Sequence, residues 1–144
     1  MKKVLFVVAC ALAVVGAGAQ EKVAFNKMPK AVQEFVQKNF SNDKVQNVEK
    51  GHNADKTEKY TLFFTNGNMI AFDNQGNWTE IDMQTGAVPT STVPANITSY
   101  VSKNYSGAKI MQIMKNQNGY MVKLSSGTSL NFDKDGKLLK KEKK

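Results

Sequence analysis

The sequence predicts an α+β protein built from two tandem repeats. Each is a helix followed by a four-stranded antiparallel meander, and the two form a curved sheet with the helices on one face. Three observations predict this: a pattern that recurs 65 and then 60 residues later, an apolar stripe of helical period opening each copy, and period-two alternation after it.

The chain opens on Met1-Lys2-Lys3, an apolar run from Val4 to Val15, and Ala17-Gly18-Ala19. A basic start, a short apolar run and a small-x-small site are the marks of a secretory signal peptide. The run falls short of the roughly 20 residues a membrane-spanning helix needs. Residues 1–19 are therefore expected to be removed, giving a periplasmic or secreted protein. Val7-Val8-Ala9-Cys10 resembles a lipoprotein processing site, but cleavage there would leave apolar Ala11–Val15 on the mature chain. No stable membrane anchor is expected. Cutting after Ala19 removes the only cysteine, which excludes disulfides, thiol nucleophiles and thiolate metal sites.

Residues 20–27 then read as an N-terminal extension, 28–83 as the first repeat, 84–92 as a linker and 93–144 as the second. Together 28–144 suit one continuous domain. Each repeat starts with proline, Pro29 or Pro94, at a helix start where a missing N–H costs nothing. Val32, Phe35, Val36 and Phe40, matched by Ile97, Tyr100, Val101 and Tyr105, make one helical face. Ser41-Asn42 and Ser106-Gly107 end the helices, and strands follow near 44–50 and 109–115.

The period then becomes two. Tyr60, Leu62 and Phe64 alternate with Thr61, Phe63 and Thr65; Tyr120, Val122 and Leu124 alternate with Met121, Lys123 and Ser125. Asn66-Gly67 and Ser126-Gly127 are hairpin turns. Ile70 and Phe72, or Leu130 and Phe132, carry the next strand. Asp73-Asn-Gln-Gly76 and Asp133-Lys-Asp-Gly136 turn into the last strands, 77–83 and 137–141. The offset changes within 51–59, a polar loop, where a duplicated unit tolerates a length difference.

These motifs, (Leu/Met/Val)-Pro before a short helix, Tyr-x-(Val/Leu)-x-(Phe/Leu)-x-(Asn/Ser)-Gly and Phe-Asp-x-x-Gly with an aromatic after it, resemble the PepSY-like, β-lactamase-inhibitor-like family of exported bacterial proteins. The resemblance spans both repeats. It implies a continuous, curved sheet and a non-enzymatic role, and it brings no catalytic residues. The sequence departs at Leu138, which stands where the first copy has Trp78.

The side-chain inventory argues against catalysis. His52 is the only histidine and has no second histidine or mature cysteine to work with. Asp133-Lys-Asp135-Gly136 lacks the third oxygen ligand and distal Glu of a calcium loop, and its counterpart Asp73-Asn-Gln-Gly76 fits a turn. Glu80 and Asp82 share a strand face and read as solvated acids. No catalytic, cofactor-binding or metal-ligating residue is assigned, and no cofactor.

Binding is the remaining expectation. On the strand face away from the helices most residues are polar, as an open face should be. Phe63, Met69 and Met121 are exceptions, and with Lys123 and Trp78 they make the candidate partner surface, Trp78 reading equally as a core cap. The leading function is thus a periplasmic binding module presenting a sheet face to a protein or peptide, with inhibition as one form of it. The alternative is an anionic small ligand, glycan or envelope surface bound through the second half. Removing Lys2 and Lys3 leaves 18 lysines against 12 acids, and residues 91–144 hold 10 of those lysines with three acids. There is no arginine for bidentate base or phosphate contacts, so no nucleic-acid partner is expected.

Overall fold

The computed structural model describes residues 21–142. Its strands are β1 (Glu21–Val23), β2 (Val45–His52), β3 (Glu58–Phe64), β4 (Met69–Asp73), β5 (Trp78–Asp82), β6 (Ile110–Asn116), β7 (Gly119–Leu124), β8 (Ser129–Asp133) and β9 (Leu138–Glu142). Two α-helices, α1 (Lys30–Asn39) and α2 (Ala95–Asn104), precede β2 and β6. The signal peptide expected at residues 1–19 lies outside the described residues.

All nine strands form one antiparallel sheet in sequence order. This corrects the expected division into two helix-plus-four-strand repeats. The sheet does not stop at β5: Glu80, Ile81 and Asp82 pair with Met114, Ile113 and Gln112 of β6. A four-stranded meander would leave that edge of N–H and C=O groups unpaired, and continuing the ladder satisfies them. Glu21–Val23, expected in an extension, adds a ninth strand against Val48–Lys50. The α+β, antiparallel character stands; the architectural unit is the whole sheet.

One row of cross-strand neighbours shows where the core lies. Val48, Leu62, Ile70, Ile81, Ile113, Val122 and Leu130 follow each other across β2–β8, and each is completely buried. The helices cover this face. Val32, Val36, Ile97 and Val101 join the sheet residues in a single hydrophobic cluster. Phe35 packs edge-on to Phe72 with ring centroids 5.9 Å apart, and Tyr100 to Phe132 at 5.6 Å.

Each helix start is seated on a strand turn. Pro29 and Pro94 occupy the N-cap positions, and their carbonyls accept the N–H groups of Val32 and Ile97. At the β4–β5 turn Gly76 takes φ +89°, and a Cβ there would press on Val32 at 3.3 Å. At the β8–β9 turn, Asn96 of α2 donates from Nδ2 to the Asp135 carbonyl at 2.8 Å. The Asp side chains fold the turns: Asp73 Oδ1 accepts from the N–H groups of Gln75 and Asn77, Asp133 Oδ1 from those of Asp135 and Lys137, all at 2.9 Å.

Between β5 and α2 the chain is tied by Asn68, which is completely buried. Its Oδ1 accepts from the N–H groups of Gln84 (2.7 Å) and Thr85 (3.0 Å), and its Nδ2 donates to the Thr85 carbonyl at 3.2 Å. A buried amide is tolerable only when bonded in this way.

Candidate functional site

The face opposite the helices carries two parallel rows of side chains. The first runs Asn47, Phe63, Met69, Asp82, Gln112, Lys123, Ser129, Glu142 from β2 to β9. The second runs Lys22, Glu49, Thr61, Ala71, Glu80, Met114, Met121, Asn131, Lys140 from β1 to β9. Residues of one row stand on the same sheet face, with neighbouring strands about 4.8 Å apart.

The rows place each expected surface residue. Phe63 and Met69 are direct cross-strand partners, both half-buried. Met121 lies in the adjacent row, three strands from Met69, roughly 14 Å at the usual strand spacing. Its own partner is Met114, half-buried beside it. Lys123 shares the row of Phe63 and Met69 but is separated from them by Asp82 and Gln112. The face therefore holds two apolar pairs, Phe63/Met69 and Met114/Met121, on either side of an acidic rib made by Glu80 and Asp82. Gln112 holds that rib in place, donating from Nε2 to Glu80 Oε1 at 2.8 Å.

Trp78 faces the other way. An irregularity between Ala71 and Phe72 sets Trp78 against Phe72 and Glu80 against Ala71. The extra residue, Thr79, rotates Trp78 onto the core face, where it is 8 % exposed. Of its two sequence readings, core cap is the one realised. Met114 escaped sequence reading for a related reason. The β6–β7 register shifts between Ile110 and Gln112, so simple alternation from Ile110 assigns Met114 to the core face.

Beyond the Glu80/Met114 pair, β5 and β6 make no further pairs. A groove of about 300 Å³ opens there, lined among others by Lys59, Asp73, Thr79, Glu80, Met114 and Lys115. Lys115 Nζ sits 3.9 Å from the centre of the Trp78 ring, close enough for a cation–π contact. Partial burial lowers the Lys115 pKa from the ordinary lysine value, and the charge of Asp73 opposes the shift. The groove offers charge and shape, with no thiol, imidazole or activated hydroxyl lining it. His52, expected in the loop after β2, is instead the strand's last residue, exposed and opposite Glu58.

Comparison with known proteins agrees with this architecture. A family described as "putative beta-lactamase-inhibitor-like, PepSY-like" matches residues 17–57 and 58–140. A crystal structure of a "putative calcium-regulated periplasmic protein" from Bacteroides thetaiotaomicron is similar, with TM-score 0.83 and 35% identity over 88% of this chain and 99% of that one. A "putative periplasmic protein" from Bacteroides vulgatus superposes with TM-score 0.83 and 32% identity, again over 88% and 99% of the two chains. A second Bacteroides vulgatus structure, a "putative periplasmic protein of unknown function", reaches TM-score 0.81 and 31% identity over 86% and 99%. Among curated proteins none matches this chain.

Proposed function

Because this chain belongs to the PepSY-like family, we propose that it is a periplasmic binding protein without catalytic activity, presenting the open face of its sheet to a protein or peptide. The observation that carries the reading is the pair of apolar islands, Phe63/Met69 and Met114/Met121, on a face that the protein's own helices leave uncovered. Apolar groups grouped on an otherwise polar face suit a partner surface. The acidic rib between them would fix orientation, since an incoming surface must meet Glu80 and Asp82 with donors or positive charge. The periplasmic part rests on the N-terminal segment and on the names of the three similar structures. The non-catalytic part rests on the exposed, isolated His52 and the polar groove without a nucleophile.

Calcium enters only through the name of one similar structure. The described residues do not fit a carboxylate-built calcium site, which gathers six to eight oxygens. No three of their His, Cys, Asp and Glu side chains come together. Asp73 and Asp133 each have one oxygen committed to two turn N–H groups.

The test is affinity capture from a periplasmic extract with the wild type and with Phe63→Ala/Met121→Lys. A discrete protein retained by the first and lost by the second supports the sheet face; equal capture by both removes it. Inhibition is one form such binding could take, and titration into a β-lactamase assay examines that form directly.

A further inference from the structure

The last strand, β9, pairs with β8 along its inner edge: Leu138 with Phe132, Lys140 with Asn131, Lys141 with Leu130 and Glu142 with Ser129. Among the described residues nothing pairs with its outer edge. That leaves outward N–H and C=O groups free to accept another strand.

β5 shows what such an edge accepts in this fold. Both strands enter the sheet through the same irregularity, Phe72/Trp78 then Ala71/Glu80 in β4–β5, and Phe132/Leu138 then Asn131/Lys140 in β8–β9. Glu80, Ile81 and Asp82 thus correspond to Lys140, Lys141 and Glu142. On β5 those three residues are covered by Met114, Ile113 and Gln112 of β6. Beside β5, the Thr79 groove is walled on one side by Met114 and Lys115 of β6. The matching groove of about 270 Å³ lies over β7 and β8 and ends at β9, lined among others by Asn118, Tyr120, Asn131, Phe132, Leu139 and Lys140, and among the described residues no strand stands beyond it. Leu139 is 61 % exposed there, the large hydrophobic most open to water among the described residues.

The chemistry of the edge selects its occupant. Where β5 offers Glu80 and a buried Ile81, β9 offers Lys140 and an exposed Lys141. Glu142 offsets part of this, with its Oε1 3.1 Å from Lys140 Nζ. Lys141 and the exposed Lys137 have no ion pair among the described residues. A second copy of β9 would set lysines against lysines, which is unfavourable directly across a ladder.

We propose that the outer edge of β9 docks an extended acidic segment of a partner protein as a tenth strand. An apolar side chain of that segment covers Leu139, and its carboxylates meet Lys140 and Lys141. Main-chain bonds would give affinity and the side chains selectivity, as in other strand-addition complexes. The edge borders the open face through Lys140 but lies five strands from the Phe63/Met69 pair, so binding at the edge and at that pair can fail separately.

The probe is a fluorescent peptide of roughly seven residues in which adjacent glutamates, one for Lys140 on the open face and one for Lys141 on the helix-bearing face, are flanked by Val or Leu. Controls are its Lys-for-Glu counterpart and an acidic version with a central proline, which keeps the charge but cannot pair as a strand. Anisotropy should show the acidic peptide binding the full chain, with both controls weaker by about tenfold or more. Amide exchange should slow in 138–142. Lys140→Glu/Lys141→Glu should reverse the preference toward the lysine peptide, whereas Phe63→Ala, six strands away on β3, should leave it unchanged. Absence of binding means the edge lysines only ward off strand pairing and overturns the proposal. So does equal binding of the proline peptide, protection of β3 and β4 or of β1 in place of 138–142, or protection of 138–142 by phosphatidylglycerol vesicles without peptide binding.

Discussion

At the scale of single residues, Lys115 carries the clearest chemical signature. Its ammonium is half-buried above the Trp78 ring, and burial lowers its pKa below 10.5. The unfolded chain therefore holds this proton more tightly than the folded one, so Lys115 costs stability at neutral pH. The cost is relieved as pH rises through the lowered folded value toward 10.5, and stability rises with pH in that window. An NMR titration of lysine side chains should find Lys115 deprotonating before the exposed lysines. The wild type should gain on Lys115→Met in urea midpoint as pH climbs from neutral toward 10.5. A gap that stays constant over that range would mean the charge is not desolvated. Little of this was legible in the sequence, because the contact depends on the extra residue Thr79 turning Trp78 inward. Asn68 was equally hidden: after Asn66-Gly67 it reads as one more turn residue, and only tertiary structure makes it a buried clamp on 84–85. Phe63 and Met69, by contrast, were placed correctly by alternation alone, since β3 and β4 pair regularly from Lys59/Asp73 to Phe63/Met69.

At the scale of elements, the hairpins decide which side chains share a face, and one glycine is indispensable to the tightest of them. Asn116 turns β6 into β7, its Oδ1 accepting the N–H groups of Asn118 (2.8 Å) and Gly119 (3.0 Å). Gly119 has φ +146°, and a Cβ built there would fall on the carbonyl oxygen of Phe132 in β8. Relief would require β7 and β8 to separate. Gly119→Ala should therefore cost roughly 3 kcal/mol, within the range of backbone-strain substitutions. Gly86 supplies the contrast, with φ +83° but no atom within 4 Å of a Cβ. Gly86→Ala should cost only about 1 kcal/mol, the strain of a left-handed backbone. Urea denaturation of both variants measures the difference, and equal costs would mean the close approach to Phe132 is not rigid. The sequence showed the helices and most strands because their apolar periods are clean. It missed β1, because Glu21-Lys22-Val23 is too short and polar to announce a strand; Val23 becomes one only against Val48. Residues that enter an irregularity, such as Thr79, Met111 and Leu139, are where period-two reading loses the face.

At the scale of the molecule, recurrence of the pattern at 65 and 60 residues suggested two units, and the structure makes one sheet of them. Repeated sequence specifies what each segment is. It does not say whether the edge of one segment meets the edge of the next. That junction is narrow, with three residue pairs joining β5 to β6. It is nevertheless dry: Ile81 and Ile113 are completely buried and belong to a cluster that reaches from Met28 to Phe132. Separating β5 from β6 would bare both isoleucines, at roughly 2 kcal/mol each by transfer area, besides the ladder bonds. A domain of this size is held by only about 5–15 kcal/mol in all, so neither half should persist once the junction opens. The full chain should unfold in one transition, with calorimetric and van't Hoff enthalpies equal. Ile113→Ala should lower stability by about 2–5 kcal/mol, and the transition should remain single as it moves down. Two resolved transitions in the wild type would show the junction to be weaker than either half. Two transitions only in the variant would place the coupling between the halves in this buried pair.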